Sequence, residues 1–241
     1  DRHGDAMPAS PRLRHTRAPF PHVRFAMSYV RCLRGIASGV EYPHDVPMNL
    51  DPVDGRPVEM LLDLERLARE KPGAAWYDPT RKDLWRFGGL LALDITDPHD
   101  AAHIVPLGEG HTPELDYCDH AVAKAAGVSL WLKDEGQHWP GFGGNPTRSF
   151  KDRGMAMAVA QARRLGLKRL AVPTQGNAGD ALVRYALAGG LDVVVAMPED
   201  TPLPIMGSVA VAAKKHPGRI TLELVGPTIR EAGAFLKEHY I

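Results

Sequence analysis

Residues 169–197 read RLAVPTQGNAGDALVRYALAGGLDVVVAM. The runs at 169–173 and 192–197 are short and apolar, which reads as two strands. The amphipathic stretch at 179–188 between them reads as a helix. A strand, a helix and a second strand in this order make a βαβ unit, the building block of a parallel sheet.

Outward from that unit the alternation continues. Further strand candidates lie at 129–132 and 220–225, and further helix candidates at 152–165, 205–215 and 228–240. The expected fold is therefore α/β, an open parallel sheet with flanking helices. Such sheets hold ligands at the carboxyl ends of their strands, where loops run into helix N-termini. Two loops stand there, 143–151 and 174–179.

The sequence ahead of this region is different. Residues 1–26 carry five arginines and four prolines without apolar periodicity, and are expected to be a disordered or non-native extension. Residues 27–70 are rich in Pro and Gly turns, with an apolar run at 58–62 and a helix candidate at 64–69. They read as a small loop-and-hairpin module. From 71 to 93 a linker carries Trp76, Tyr77, Trp85 and Phe87, aromatic side chains able to dock it on a larger body.

Composition narrows the partners. The 241 residues hold 29 basic and 29 acidic side chains, a balance that gives no field for nucleic acid or for a membrane surface. No apolar run reaches the roughly 18 residues of a spanning helix. Cys32 and Cys118 make neither a disulfide framework nor a metal quartet, which favours a reducing, cytoplasmic setting. His99, His103, His111 and His120 lack metal-ligand spacing, and Met155 and Met157 read as the buried side of a helix.

The first loop runs into NPTRSFKDRG at 145–154. Ser149 and Asp152 have the spacing of a capping box, so a helix is expected to start near Phe150 or Lys151. Lys151 then stands at the positive end of the helix macrodipole. That position disfavours an ammonium and favours the neutral amine that condenses with an aldehyde. A surface lysine paired with an acid can occupy the same position, so position alone decides little. The second loop is Thr174-Gln175-Gly176-Asn177-Ala178-Gly179. Its glycines allow a tight turn that exposes backbone N–H groups to a carboxylate or phosphate, and the Asn177 amide can donate. A plain strand-to-helix turn uses the same residues.

Taken in order, SFKDRG at 149–154 and a strand ending in Gly176-Asn177-Ala178-Gly179 resemble the fold-type-II, tryptophan-synthase-β-like pyridoxal-phosphate enzymes, and among them the threonine synthases. PLGEGHTP at 106–113, LWLKDEG at 130–136 and MPEDTP at 197–202 resemble further segments of that family. The likeness implies that Lys151 carries pyridoxal 5'-phosphate as a Schiff base and that Asn177 hydrogen-bonds the cofactor's phenolic oxygen. It also implies that Thr174, Gln175, Gly176, Ala178 and Gly179 help hold the carboxylate of a small amino-acid substrate. The implied reaction converts O-phosphohomoserine and water to threonine and phosphate, in a full-length protein that is a homodimer. The cofactor would be the electron sink and the lysine a proton shuttle. A cysteate synthase, a threonine dehydratase, a diaminopropionate ammonia-lyase or a non-catalytic remnant would share these motifs.

Three departures from the family qualify the likeness. Residues 29–63 resemble a zinc-ribbon module, yet only Cys32 remains of its paired cysteines. A structural zinc takes about four ligands, so a degenerate, metal-free relic is expected, with His44 an ordinary turn histidine. Next, HWPGFGG at 138–144 looks like an insertion, and Arg148 stands where the family often has Gly; its side chain is expected to be solvated. Last, the family's glycine-rich loop for the cofactor phosphate and its later Ser or Thr at the pyridine nitrogen do not occur before Ile241. Residues 71–241 are accordingly expected to be the N-terminal part of a catalytic domain, truncated and inactive alone.

Overall fold

The structure, a computed structural model, describes residues 28–240 except 47, 72, 74 and 75. The extension expected over 1–26 lies outside the described residues. Strand β1 (Val30–Gly35) pairs antiparallel with both β2 (Glu41–Tyr42) and β3 (Val58–Leu62), in the order β2-β1-β3. Tyr29, Val30 and Cys32 are buried there. The long turn between β2 and β3 is tied by buried Asp51, whose carboxylate accepts from the Tyr42 hydroxyl at 2.5 Å, the Val53 N–H at 2.9 Å and the Ser38 hydroxyl. Among the described residues, no three His, Cys, Asp or Glu side chains gather as a metal set.

Helix α1 (Leu64–Glu70) starts at Asp63, which accepts from the Arg66 N–H at 2.8 Å. A 3-10 helix at Leu84–Leu90 then drives Trp85 fully into the main core. Trp76 stacks on Phe87 with ring centroids 5.8 Å apart. Aromatic packing thus docks this stretch, in keeping with its sequence. After the short α2 (Pro98–Ala101) come β4 (Glu114–Asp116), α3 (Ala121–Ala126) and β5 (Trp131–Lys133).

Strand β5 corrects the sequence reading. The candidate at 129–132 does not join the parallel sheet; it pairs antiparallel with β4 in a separate two-stranded ribbon. Trp131, Leu132 and Lys133 are all exposed, whereas a parallel strand needs a covering layer on both faces. A short apolar run alone does not reveal whether such layers exist.

From α4 (Lys151–Arg164) onward the alternation is as expected: β6 (Arg169–Pro173), α5 (Asn177–Gly189), β7 (Asp192–Met197), α6 (Leu203–Lys215), β8 (Ile220–Leu224) and α7 (Ile229–His239). The sheet β6-β7-β8 is parallel with β7 in the middle. Successive β7 side chains point to opposite faces. Val193, Val195 and Met197 enter the main core with Val159, Leu182 and Tyr185, while Val194 and Ala196 pack on Ala232 and Leu236 of α7. Both faces are covered, which is why the strand is apolar throughout after Asp192. Gly190, in the left-handed region at φ +79°, ends α5, and Thr228 and Glu231 form a reciprocal capping box for α7. Among the described residues, no helix is long and apolar enough to cross a membrane.

Candidate functional site

The loop that leads to Lys151 is strapped to the segment 106–113. Gly144 donates its N–H to Gly108 O at 2.8 Å, and Gly143 donates to His111 O at 3.2 Å. At Gly143 a Cβ would lie 2.0 Å from Lys82 O and 2.2 Å from Gly110 O, so only glycine fits between those carbonyls. The Asn145 amide then donates to Glu135 Oε2 at 2.6 Å and to Glu135 O at 3.1 Å.

Glu135 is the hub of this layer. Arg153 contacts it with a two-pronged fork, 2.8 Å to Oε2 and 3.1 Å to Oε1, and the Thr112 hydroxyl donates to Oε1 at 3.1 Å. Burial works to raise its carboxyl, but the hydrogen bonds from Arg153, Asn145 and Thr112 hold it below the ordinary carboxylate range. Three of the sequence segments, 106–113, 130–136 and 145–154, thus meet at one carboxylate.

Helix α4 starts at Lys151, as the spacing predicts, but without the capping box. Phe150 occupies the N-cap position with no side-chain cap, which leaves Ser149 a residue too early to serve. Ser149 Oγ instead accepts from the Lys151 N–H at 3.3 Å. Asp152 turns its buried carboxylate back to the loop, accepting from the Thr147 N–H at 2.8 Å and the Thr147 hydroxyl at 2.9 Å. Burial pushes the Asp152 carboxyl up, and Asp180 in the first turn of α5 adds to this; Thr147 and Arg184 oppose it. The Lys151 side chain is exposed, with Nζ 4.7 Å from the Phe150 ring centroid.

The second loop is fixed from below. Thr174 is buried and extends the ladder through its N–H to Ala196 O at 2.9 Å; its hydroxyl accepts from the Gly176 N–H at 3.1 Å. Asn177 is the first residue of α5, and both it and Gln175 are exposed; Gly176 and Ala178 are half-buried. Gly179 is buried where a Cβ would come within 2.7 Å of Thr174 Cγ2 and 3.1 Å of Val195 Cγ1. Helices α4 and α5 pack on each other, so the starts that bear Lys151 and Asn177 are neighbours, near enough for Asp180 to act on Asp152. The N–H groups of a first helical turn have no intrahelical partners and suit an anion.

Two features escaped the sequence. One is the buried Glu109, bonded across the fold to Tyr185. The other is a cavity of about 600 Å³ beside the lysine loop, lined in part by Lys82, Leu107, Phe142, Arg148 and Arg184. Neither Lys151 nor any residue of 174–179 lines it. Arg184 sits on the exposed side of α5 and reads in the sequence as an ordinary solvated position. Arg148 is exposed, as expected, yet its backbone is in the left-handed region at φ +60°, a conformation that glycine adopts freely.

Residues 105–238 match the family described as pyridoxal-phosphate dependent enzyme. That is more than half of the chain, and the chain belongs to this family, whose cofactor is pyridoxal phosphate. Within it, similar relatives are threonine synthases. That of Methanosarcina acetivorans is 34% identical over 137 residues, covering 57% of this chain and 28% of the relative. That of Halalkalibacterium halodurans is 38% identical over 96 residues, covering 40% and 25%. The matched stretch thus spans about a quarter of these relatives' length. A solved structure of diaminopropionate ammonia lyase from Escherichia coli in apo form overlaps 58% of this chain and 40% of its own, with 18% identity and a TM-score of 0.45.

Proposed function

We propose that this chain carries the lysine-bearing part of a threonine-synthase-type lyase, which converts O-phosphohomoserine and water to threonine and phosphate. The observation that carries the reading is the pair of neighbouring helix starts, Lys151 opening α4 and Asn177 opening α5. The relatives named threonine synthase support the choice of reaction.

The residues present suit the cofactor. Lys151 Nζ makes no ion pair or hydrogen bond among the described residues and faces solvent, so its amine is available for attachment. When bound, pyridoxal phosphate supplies an electron sink for the substrate carbon. Lys151 would hold it through its amine, a group that can also hold or return a proton. The Asn177 amide would donate to the cofactor's phenolic oxygen. Thr174, Gln175, Gly176, Ala178 and Gly179 present the α5 start, whose N–H groups orient the substrate carboxylate. Asp152 and Ser149 hold the loop so that Lys151 keeps its place. On this reading the protein is cytoplasmic, with a homodimer as its functional unit.

The test is to add pyridoxal phosphate to the folded chain, record the visible spectrum, then reduce with borohydride and map the peptides by mass. A new band and a cofactor adduct on the Lys151 peptide are expected, both lost in Lys151→Ala. A folded wild-type chain that gives neither would overturn the proposal.

A further inference from the structure

We propose that a second, smaller cavity is a binding site for a free α-amino acid with a small apolar side chain, held as a zwitterion. The cavity, of about 230 Å³, lies where the N-terminal hairpin module meets the rest of the chain. Two cations, Lys71 and Arg86, and two carboxylates, Asp78 and Asp94, line the same space. Among the described residues, no salt bridge joins any two of them. Asp94 and Arg86 each keep a buried polar atom without a hydrogen-bond partner, Oδ2 and Nε. Asp94 is only 5% exposed, and its other oxygen is taken by the Thr96 N–H at 2.9 Å and the Thr96 hydroxyl at 2.6 Å. A buried carboxylate oxygen is costly unless something pairs with it. The Arg86 guanidinium lies over the Tyr77 ring, 4.9 Å from its centroid, so an aromatic face holds it in place. Thr80 donates its N–H and hydroxyl to Asp78 at 2.8 and 2.6 Å. These bonds, with a smaller push from Arg81, hold the Asp78 carboxyl below the ordinary carboxylate range. Arg81 itself is forked on Asp83.

The four charges sum to zero, so a ligand of one sign is drawn by one pair and repelled by the other. A molecule that carries both an ammonium and a carboxylate meets both pairs. An arginine fork suits its carboxylate, and the free oxygen of Asp94 suits its ammonium. Tyr29, Trp76, Tyr77 and Ile95 complete the wall, which suits an apolar side chain. The space falls below the range of drug-sized ligands, which limits the occupant to a small molecule. The wall is firm, because a Cβ on Gly88 would come 2.3 Å from Ile95 Cγ1.

Neither Lys151 nor any residue of 174–179 lines this cavity, so the proposal does not rest on the cofactor reading. Its place is that of an effector site. The Ser28 hydroxyl donates to Leu91 O at 2.9 Å and the Tyr29 N–H to Gly89 O at 2.8 Å. The same stretch gives the Leu84 N–H to Glu109 O at 2.6 Å. An occupant held from both sides would brace the module against the segment that straps the lysine loop.

The experiment is calorimetric titration of the 241-residue chain, without cofactor, with L-valine, isobutylamine and isovalerate. The last two are valine without its carboxylate and valine without its ammonium. L-valine is expected to bind saturably, and each analogue about tenfold more weakly or worse, because a charged hydrogen bond is lost. Asp94→Asn and Arg86→Lys should each weaken L-valine by a similar factor. Both are chosen to fold: an asparagine oxygen still accepts from Thr96, and a lysine still places a charge over Tyr77. Arg230→Ala, outside the cavity, and Lys151→Ala should bind as wild type. Absence of saturable L-valine binding, equal binding of either analogue, or binding that both Asp94→Asn and Arg86→Lys retain would overturn the proposal. Loss of binding in Lys151→Ala would overturn it too, by placing the amino acid at the lysine loop. The Lys151 adduct is read separately, so either idea can fail without the other.

Discussion

The Tyr185 hydroxyl on α5 donates to Glu109 Oε2 at 2.8 Å, across 76 positions of sequence, and both side chains are fully buried. The Leu107 N–H donates to the same oxygen at 2.9 Å. One carboxylate thus ties the segment ahead of the lysine loop to the helix that starts at Asn177. Burial pushes the Glu109 carboxyl up, and burial together with Glu109 pushes the Tyr185 phenol up.

Tyr185→Phe should therefore destabilise the chain by about 1–3 kcal/mol, because a buried acceptor loses its donor. Glu109→Gln should cost less, since an amide oxygen still accepts from Tyr185 and Leu107. The pH dependence has a definite sign. A carboxyl raised in the folded state holds its proton longer there than in the unfolded chain. Its contribution is most favourable at low pH and is lost as pH rises from the unfolded value through the folded one. Asp152, also raised by burial, adds to the same slope. Urea denaturation at a series of pH values should show a shallower fall for Glu109→Gln than for wild type; identical slopes would contradict the assignment.

Arg153→Lys tests the hub at Glu135. A lysine keeps the charge but cannot span both carboxylate oxygens as Arg153 does at 2.8 and 3.1 Å. The pair is about 30% exposed on each side, so the loss should be modest, about 1 kcal/mol. The more telling readout is local. Hydrogen exchange of the amides in 143–151 should speed up more than that of the β7 amides, because the loop is anchored through Asn145 to the same carboxylate. Equal acceleration everywhere would mean that Arg153 acts on global stability instead.

Much of this was legible in the sequence, and the reason is periodicity. β6, β7 and the helices α4 to α7 repeat a pattern that one layer of packing imposes, and their bounds fell within two residues of those read from the chain. Lys151 was legible at a helix start from the spacing of Ser149 and Asp152, whereas Asn177, read as a loop residue ahead of a helix at 179–188, opens that helix itself. What stayed hidden depends on contacts between distant residues. Strand β5 has apolar residues but no covering layer, so its antiparallel partner could not be read locally. Ser149 and Asp152 have the spacing of a cap, yet Thr147 offers Asp152 two donors at once and takes the carboxylate away. Glu109 was legible only as part of the segment 106–113, and its burial depends on Tyr185, 76 positions away.

Two helical glycines should respond to alanine with opposite signs. Gly154, within α4, has open space where a Cβ would stand, so Gly154→Ala should stabilise by about 0.5–1 kcal/mol. Gly179 has Thr174 Cγ2 and Val195 Cγ1 at 2.7 and 3.1 Å from that position. There the methyl presses on the side chains of Thr174 and Val195 and pushes the start of α5 off the sheet, at about 1–3 kcal/mol, which outweighs the same gain in helix propensity. Thermal melts of the two variants measure the contrast. A stabilised Gly179→Ala would show that the 174–179 loop is looser than its packing indicates.

Arg148→Gly should leave the chain as stable as wild type or slightly more so, although it deletes a long side chain. At φ +60° a residue with a Cβ gives up about 1–2 kcal/mol. Glycine avoids that strain but loses about 0.5–1 kcal/mol more backbone entropy on folding. The guanidinium makes no hydrogen bond or salt bridge among the described residues that could offset the difference, and its removal also lessens repulsion from Lys82 and Arg184. Arg148→Ala keeps the strain and relieves only the charge, so it should melt below Arg148→Gly. The order of the three melting temperatures in phosphate-free buffer separates backbone strain from charge. If Arg148→Ala equals Arg148→Gly, the left-handed backbone carries no cost.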